Sequence, residues 1–171
     1  MSIKITYSKS SKAKSDANLV LFSNDKFNIK TLKRYLSVNE FSYINDLLKT
    51  SDLKKNLFIF DVSSKKKIVI ISIKNNIKLS DIENLGAEFY GSVKGKKGAE
   101  YFLNSDTIVG NNENFLGHFL HGLKLKSYEF KKYKTKKEAN IISINVIGNK
   151  NKPSVQNQLK FKALEEGTFF A

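Results

Sequence analysis

Residues Leu57–Ile73 read LFIFDVSSKKKIVIISI. Two apolar runs, LFIFDV (Leu57–Val62) and IVIISI (Ile68–Ile73), lie either side of the polar link SSKKK. Both runs are rich in β-branched and aromatic residues and lack polar alternation, the pattern of strands buried on both faces. Such strands belong in the middle of a sheet with helices on each side. The short link suits an antiparallel hairpin, because a parallel return needs a dozen or more residues.

Working outward, Ser80 and Glu83 form an S-x-x-E capping box after the second run, and Ile82, Leu85 and Phe89 share one face of the helix it would start. Before the first run, Ser37 and Glu40 make another such box, followed by Phe41, Ile44 and Leu48 at helical spacing. Further upstream, Ala17–Ser23 is a short apolar run of strand length, and Ile3, Ile5 and Tyr7 alternate with polar residues as in a half-buried strand. Asn28–Leu36 fits neither period. Downstream, YFLNSDTIV (Tyr101–Val109) reads as a strand or a short loop. Asn112 or Asn114 can cap the next helix, whose apolar stripe is Phe115, Leu116, Phe119, Leu120 and Leu123. IISINVI (Ile141–Ile147) is the last strand. GNKNKPS is a turn, with Pro153 suited to the first turn of a final helix that Val155, Leu159, Ala163 and Phe170 continue. Strands and helices alternate, which indicates a layered α/β domain.

The 171 residues suit one domain with a real core, since 40% are hydrophobic. The chain has no cysteine, hence no disulfide and no thiolate metal site. No apolar run approaches the ~20 residues of a membrane span, and the N-terminus lacks a signal-peptide core. A cytoplasmic location is expected. The formal charge of +14 invites a nucleic-acid reading. However, lysine supplies all but one of the 30 basic residues, Arg34 being the exception. Base-edge reading and bidentate phosphate clamping favour the arginine fork. Lysine, asparagine and isoleucine all have A/T-rich codons, so genome composition gives the same excess. A solvated lysine surface is the favoured reading, and a free-standing nucleic-acid-binding α/β module is the alternative.

Motifs that carry chemistry are scarce. GSVKGKKG (Gly91–Gly98) departs from the Walker A pattern. Only three residues separate its first two glycines, Lys97 stands where Ser or Thr is required, and it follows a helix rather than a strand. It reads as a basic loop. His118 and His121 can share a helix face, but no third ligand or HExxH accompanies them, so packing or surface histidines are favoured over a metal pair. No catalytic, cofactor-binding or metal-binding residue is assigned. Composition and periodicity give a fold class and no activity.

The stretch GLKLKSYEFKKYKTKK (Gly122–Lys137) resembles the end of the N-terminal domain in the cytosol (leucyl) aminopeptidases. There a helix runs into a turn similar to the one formed here by Ser127, Tyr128, Phe130, Tyr133, Lys134, Thr135 and Lys136. The closing ALEEGTFFA (Ala163–Ala171) resembles that family's interdomain helix, and LGAEFYGSVK fits the helix after the paired strands. One departure is ISIKNN after the second central strand, where the family often has V-G-x-G. The resemblance implies a macro-like three-layer domain over residues 1–150, a mixed sheet flanked by helices. An interdomain helix would begin over residues 151–171, and a catalytic domain would lie beyond. In the family, two divalent metals (zinc or manganese) sit in that later domain within motifs like VGKGxxxDxGG and NTDAEGR, neither of which occurs here. The implied parent is a hexameric metal-dependent exopeptidase acting on peptide N-termini. This stretch would be its non-catalytic structural and assembly part, inactive alone, with the catalytic domain as partner. The last helix would then expose an apolar face and promote self-association. A macro-like domain binding an ADP-ribose-type ligand ranks lower, since the glycine-rich loops that would cradle phosphates at the strand ends are missing.

Overall fold

The computed structural model describes residues 3–10, 12–95, 98–110, 112–132 and 141–170, with the side chains of 129–132 left aside. Tyr133, Lys134, Thr135 and Lys136, the side chain of Phe130, Lys97 and Ala171 therefore lie outside the described residues.

Six strands form one mixed sheet: β1 (Ile3–Tyr7), β2 (Asn18–Asn24), β3 (Leu57–Asp61), β4 (Lys67–Ile73), β5 (Glu100–Asn104) and β6 (Ile142–Ile147). Their spatial order is β1-β6-β5-β2-β4-β3. β3 runs antiparallel to β4, as the short SSKKK link requires, and every other pair is parallel. The crossovers are α2 (Leu79–Val93) between β4 and β5 and α3 (Phe115–Lys132) between β5 and β6. α1 (Val38–Thr50) joins β2 to β3, and α4 (Val155–Phe169) follows β6. Lys30–Tyr35, the stretch without a clear period, is a 3-10 helix held by buried Leu32.

The period-2 alternation of side chains explains why the central runs look continuously apolar. Leu19, Leu21, Ile68 and Ile70 face a layer made by Leu32, Ile44 and Leu48. Val20, Phe22, Val69 and Ile71 face the opposite layer, with Ile82, Phe89 and Phe119. Three layers result. β1, at the sheet edge, keeps the half-buried pattern: Ile3 is buried and Tyr7 exposed.

The Ser37–Glu40 capping box forms as the sequence indicates. Ser37 Oγ accepts from the Glu40 N–H at 3.2 Å and Glu40 Oε2 accepts from the Ser37 N–H at 2.9 Å. Glu40 Oε1 also meets Lys66 Nζ at 2.7 Å. Burial pushes the Glu40 carboxyl up, but the Lys66 and Ser37 hydrogen bonds and the lysine charge outweigh it and hold the group below its usual value. The second box does not form. α2 starts at Leu79 with Lys78 at its cap and no side-chain cap hydrogen bond. Ser80 lies inside the helix, and the Glu83 carboxylate is engaged across the helix pair by His118 Nδ1 at 2.8 Å. Pro153 also falls outside its helix: it is buried just before Ser154, whose Oγ caps α4 by accepting from the Asn157 N–H. Asn114, adjoining α3, has left-handed backbone (φ 61°), and its Oδ1 accepts from Asn157 Nδ2.

α2 and α3 cross at two glycines. A Cβ on Gly86 would lie 1.9 Å from the Phe119 carbonyl oxygen, and one on Gly122 would lie 1.9 Å from that of Glu83. Backbone rather than flexible side chain blocks the space, so an added methyl forces the helices apart. Gly86→Ala and Gly122→Ala are each expected to lower stability by about 3 kcal/mol in urea unfolding. Gly91→Ala, also in α2 but facing open space, should be neutral or raise stability by up to about 1 kcal/mol. Equal effects at all three positions would contradict this crossing. A second expectation concerns Glu40, whose lowered pKa gives stability that is complete above the ordinary value of 4.5 and is lost as pH falls through the folded-state value. The stability gap between the native chain and Glu40→Gln should therefore be constant near neutrality and close in acid. A gap that widens with acid would reverse the assignment.

Candidate functional site

The two sequence stretches that carry the aminopeptidase resemblance meet in space, along the contact of α3 with α4. The Tyr128 ring stacks on Phe169 at 4.3 Å between centroids, and its hydroxyl donates to the Phe169 carbonyl at 2.7 Å. One turn before Phe169, Glu165 is 3% exposed and is held from α3 by Lys124 Nζ at 3.0 Å and, one turn further back, by His121 Nδ1 at 3.2 Å. A carboxylate so buried requires such partners. The Tyr7 hydroxyl is pushed up to about 12, by burial first and then by the negative charge of Glu165, so it stays a neutral phenol.

Phe161 completes the contact. Its ring lies 4.9 Å from the His118 ring and 5.2 Å from that of His121. Gly117 makes the niche, since a Cβ there would lie 2.6 Å from Phe161 Cε2. The two histidines thus share a face, as their spacing indicates, and that face packs against α4. Each ring nitrogen Nδ1 meets a carboxylate, Glu83 for His118 and Glu165 for His121. Among the described residues, no group of three His, Asp or Glu side chains could hold a metal ion.

The sequence reading missed Phe161 and Glu165. A signal existed: Phe161, Glu165 and Phe169 recur every four residues and mark one side of α4. A glutamate in that stripe reads as solvent-facing until its partners are seen. The other stripe, Val155, Leu159, Ala163 and Phe170, faces outward, with Val155 72% and Phe170 89% exposed. A groove of about 330 Å³ runs beside it, bounded by Ile5 and Tyr7 of the edge strand and by Val155 and Leu159. This row of exposed apolar side chains lies on the side of α4 opposite Phe161 and Glu165.

In the glycine-rich stretch Gly91 lies within α2, and Gly95 and Gly98 take positive φ, while Lys96 and Lys97 lie outside the described residues. Among the described residues, no helix is long and apolar enough to cross a membrane.

No family model matches this chain, and no curated protein matches its sequence. Solved structures do. A leucine aminopeptidase mutant from tomato superposes with a TM-score of 0.66 over 96% of this chain at 13% identity. The chain spans 36% of that enzyme's length. The macrodomain of Thermus aquaticus DarG superposes with a TM-score of 0.52, covering 85% of this chain and 98% of that domain at 9% identity. At these identities the likeness is one of fold: a macro-like, three-layer α/β domain.

The α4 geometry separates two sides of one helix. Phe161→Ala should cost about 3 kcal/mol by emptying its niche, whereas Leu159→Ala on the exposed side should change stability by less than about 0.5 kcal/mol. Urea unfolding checks both, and amide exchange in α4 should accelerate only in the Phe161 variant. Equal costs would mean that α4 is docked by its other face.

Proposed function

We propose that this chain is the non-catalytic N-terminal domain of a leucyl-aminopeptidase-like enzyme and that its work is structural: it docks against a catalytic domain and supports assembly. The observation that carries this reading is the extent of the likeness to the tomato enzyme. It runs over 96% of this chain. The sequence resemblance points the same way and falls on Tyr128 and the Ala163–Phe170 stretch, the segments that lock α4 onto α3. The outward stripe of Val155, Leu159 and Phe170 is then the surface that the catalytic domain covers. Zinc or manganese chemistry, peptide substrates and a hexamer belong to that parent enzyme, and this domain contributes no ligand to the metals.

The test uses both the chain and the native gene product. Leucine-anilide hydrolysis by the 171-residue chain, with zinc or manganese supplied, should remain at background. The native gene product isolated from its own cells should hydrolyse the same substrate and lose activity to a chelator. A native product without peptidase activity under either metal would sink the proposal. The chain alone should self-associate in sedimentation experiments, and the double variant Val155→Lys with Leu159→Lys should restore the monomer with stability changed by less than about 0.5 kcal/mol. A native chain that stays monomeric at high concentration would argue against the stripe as a contact surface.

A further inference from the structure

The two edges of the sheet differ in chemistry. β1 forms one edge and β3 the other, with β4 as the single neighbour of β3 among the described residues. Edge strands are ordinarily kept from pairing with other chains by a charged residue in mid-strand, a proline or a bulge. β1 carries Lys4 and Thr6 between its apolar residues. β3, LFIFD, has no lysine and no proline. Its register with β4 runs without a bulge from Leu57 opposite Ile71 to Asp61 opposite Lys67. The charged residue of β3, Asp61, stands at its end and is paired with Lys67.

The β3–β4 ladder decides which backbone groups of β3 are left over. The Ser72 N–H donates to the Asn56 carbonyl at 2.8 Å, and the Val62 N–H donates to the Lys66 carbonyl at 3.1 Å. Asn56 and Val62 flank the strand, and residues that face the partner alternate along it. Phe58 and Phe60 therefore turn their backbone groups to β4. Leu57, Ile59 and Asp61 turn theirs outward, a row of N–H and C=O groups with no strand beside it.

The side chains along that row are apolar on both faces. On the α1 side, half-buried Phe58 stacks on Phe60 and meets Phe27 edge-on at 4.9 Å. On the α2 side, half-buried Ile59 packs against the other core layer. The ends of the row are basic. Lys54 and Lys55 lead into β3 and Lys65 follows it, all exposed. The neighbouring acids are engaged: Asp61 with Lys67, and Asp52 Oδ1 by the Lys54 N–H at 3.2 Å.

We propose that the free edge of β3 binds an extended segment of an acidic partner protein, which adds to the sheet as a further strand. Backbone hydrogen bonds to Leu57, Ile59 and Asp61 supply affinity. Selection comes from apolar side chains set beside Phe58 and Ile59 and from carboxylates at the ends of the segment, near Lys54, Lys55 and Lys65. A second copy of this chain is the poorer occupant. Two-fold pairing about Ile59 would bring the Lys54–Lys55 end of one copy beside the Lys65 end of the other, and each copy carries a charge of +14. The site lies at the opposite edge of the sheet from β1, beside which α4 sits, so it is independent of the docking role proposed for α4.

Fluorescence anisotropy with a labelled peptide, Val-Thr-Val-Thr-Val with two glutamates at each end, tests this on the 171-residue chain. The peptide should bind one-to-one, about tenfold or more tighter than its counterpart with lysines at the ends, and more weakly as salt is added. On binding, amide exchange followed by NMR should slow at Leu57, Ile59 and Asp61 and stay unchanged at Ile3, Ile5 and Tyr7 of β1. Ile59→Pro removes an outward N–H and spares the β3–β4 ladder, so it should weaken binding by about tenfold or more. The exposed double variant Lys54→Glu with Lys55→Glu should weaken it by about tenfold, and Lys4→Glu on β1 should leave it unchanged. A urea curve on each variant confirms its fold. No binding, equal affinity for the lysine-ended peptide, slowed exchange on β1 instead of β3, or full binding by both β3-edge variants would each overturn the proposal. Slowing of the same β3 amides by rising chain concentration alone would assign the edge to a second copy and overturn it as well.

Discussion

The closest constraint in this molecule is the contact of α2 with α3 at Gly86 and Gly122, where each glycine faces the other helix's carbonyl backbone. The approach lays both helices flat on one side of the sheet. It sets Phe89 and Phe119 within 5.9 Å of each other over the central strands, and Phe119 edge-on to Phe22 at 5.5 Å. It also brings Glu83 beside His118. That contact fixes the far face of α3, and the far face of α3 is where α4 docks. The position of α4, and hence the direction of its outward apolar stripe, therefore depends on two missing methyl groups some distance away.

Much of this fold is legible in the chain. The runs in β2 and β4 are apolar on both faces because both faces are covered, whereas LFIFDV, read as a central strand, is β3 at the sheet edge, apolar because its side chains still pack into both layers; the short link between β3 and β4 leaves antiparallel pairing as the economical connection. The Ser37 box is legible because its partners are three residues apart and local. The Ser80 box has the same letters and fails, because Glu83 finds a histidine 35 residues on, and no local pattern reports that competition. The same limit hides Glu165, whose partners His121 and Lys124 are more than forty residues away in the chain.

Candidate sites were less legible than elements for a related reason. The cleft of about 650 Å³ between the β1–β2 connection and the ends of β5 and β6 draws on residues from Lys12 to Asn149, and apart from the Ser37–Glu40 box no local motif marks them. Lysine excess, read from composition, has no position. Folding gives some of that charge a location by bringing Lys12, Lys14 and Arg34 to the lining of that cleft, while Glu40 and Asp106 are engaged elsewhere. Where the sequence resemblance could be followed into the structure, at Tyr128 and Phe169, its two parts stack on each other. It therefore traces a physical joint in this domain, between the sheet-covering helix and the helix that follows the sheet.

A docking role for α4 requires something for it to dock against in the same gene product. The most direct measurement is the intact mass of that product, taken by mass spectrometry on protein isolated from its own cells. A mass well above 19.4 kDa, with the sequence beyond residue 171 carrying carboxylate-rich metal motifs, is the result this account predicts. A native product that ends at 19.4 kDa would contradict it, leaving the α4 stripe without the domain assigned to cover it.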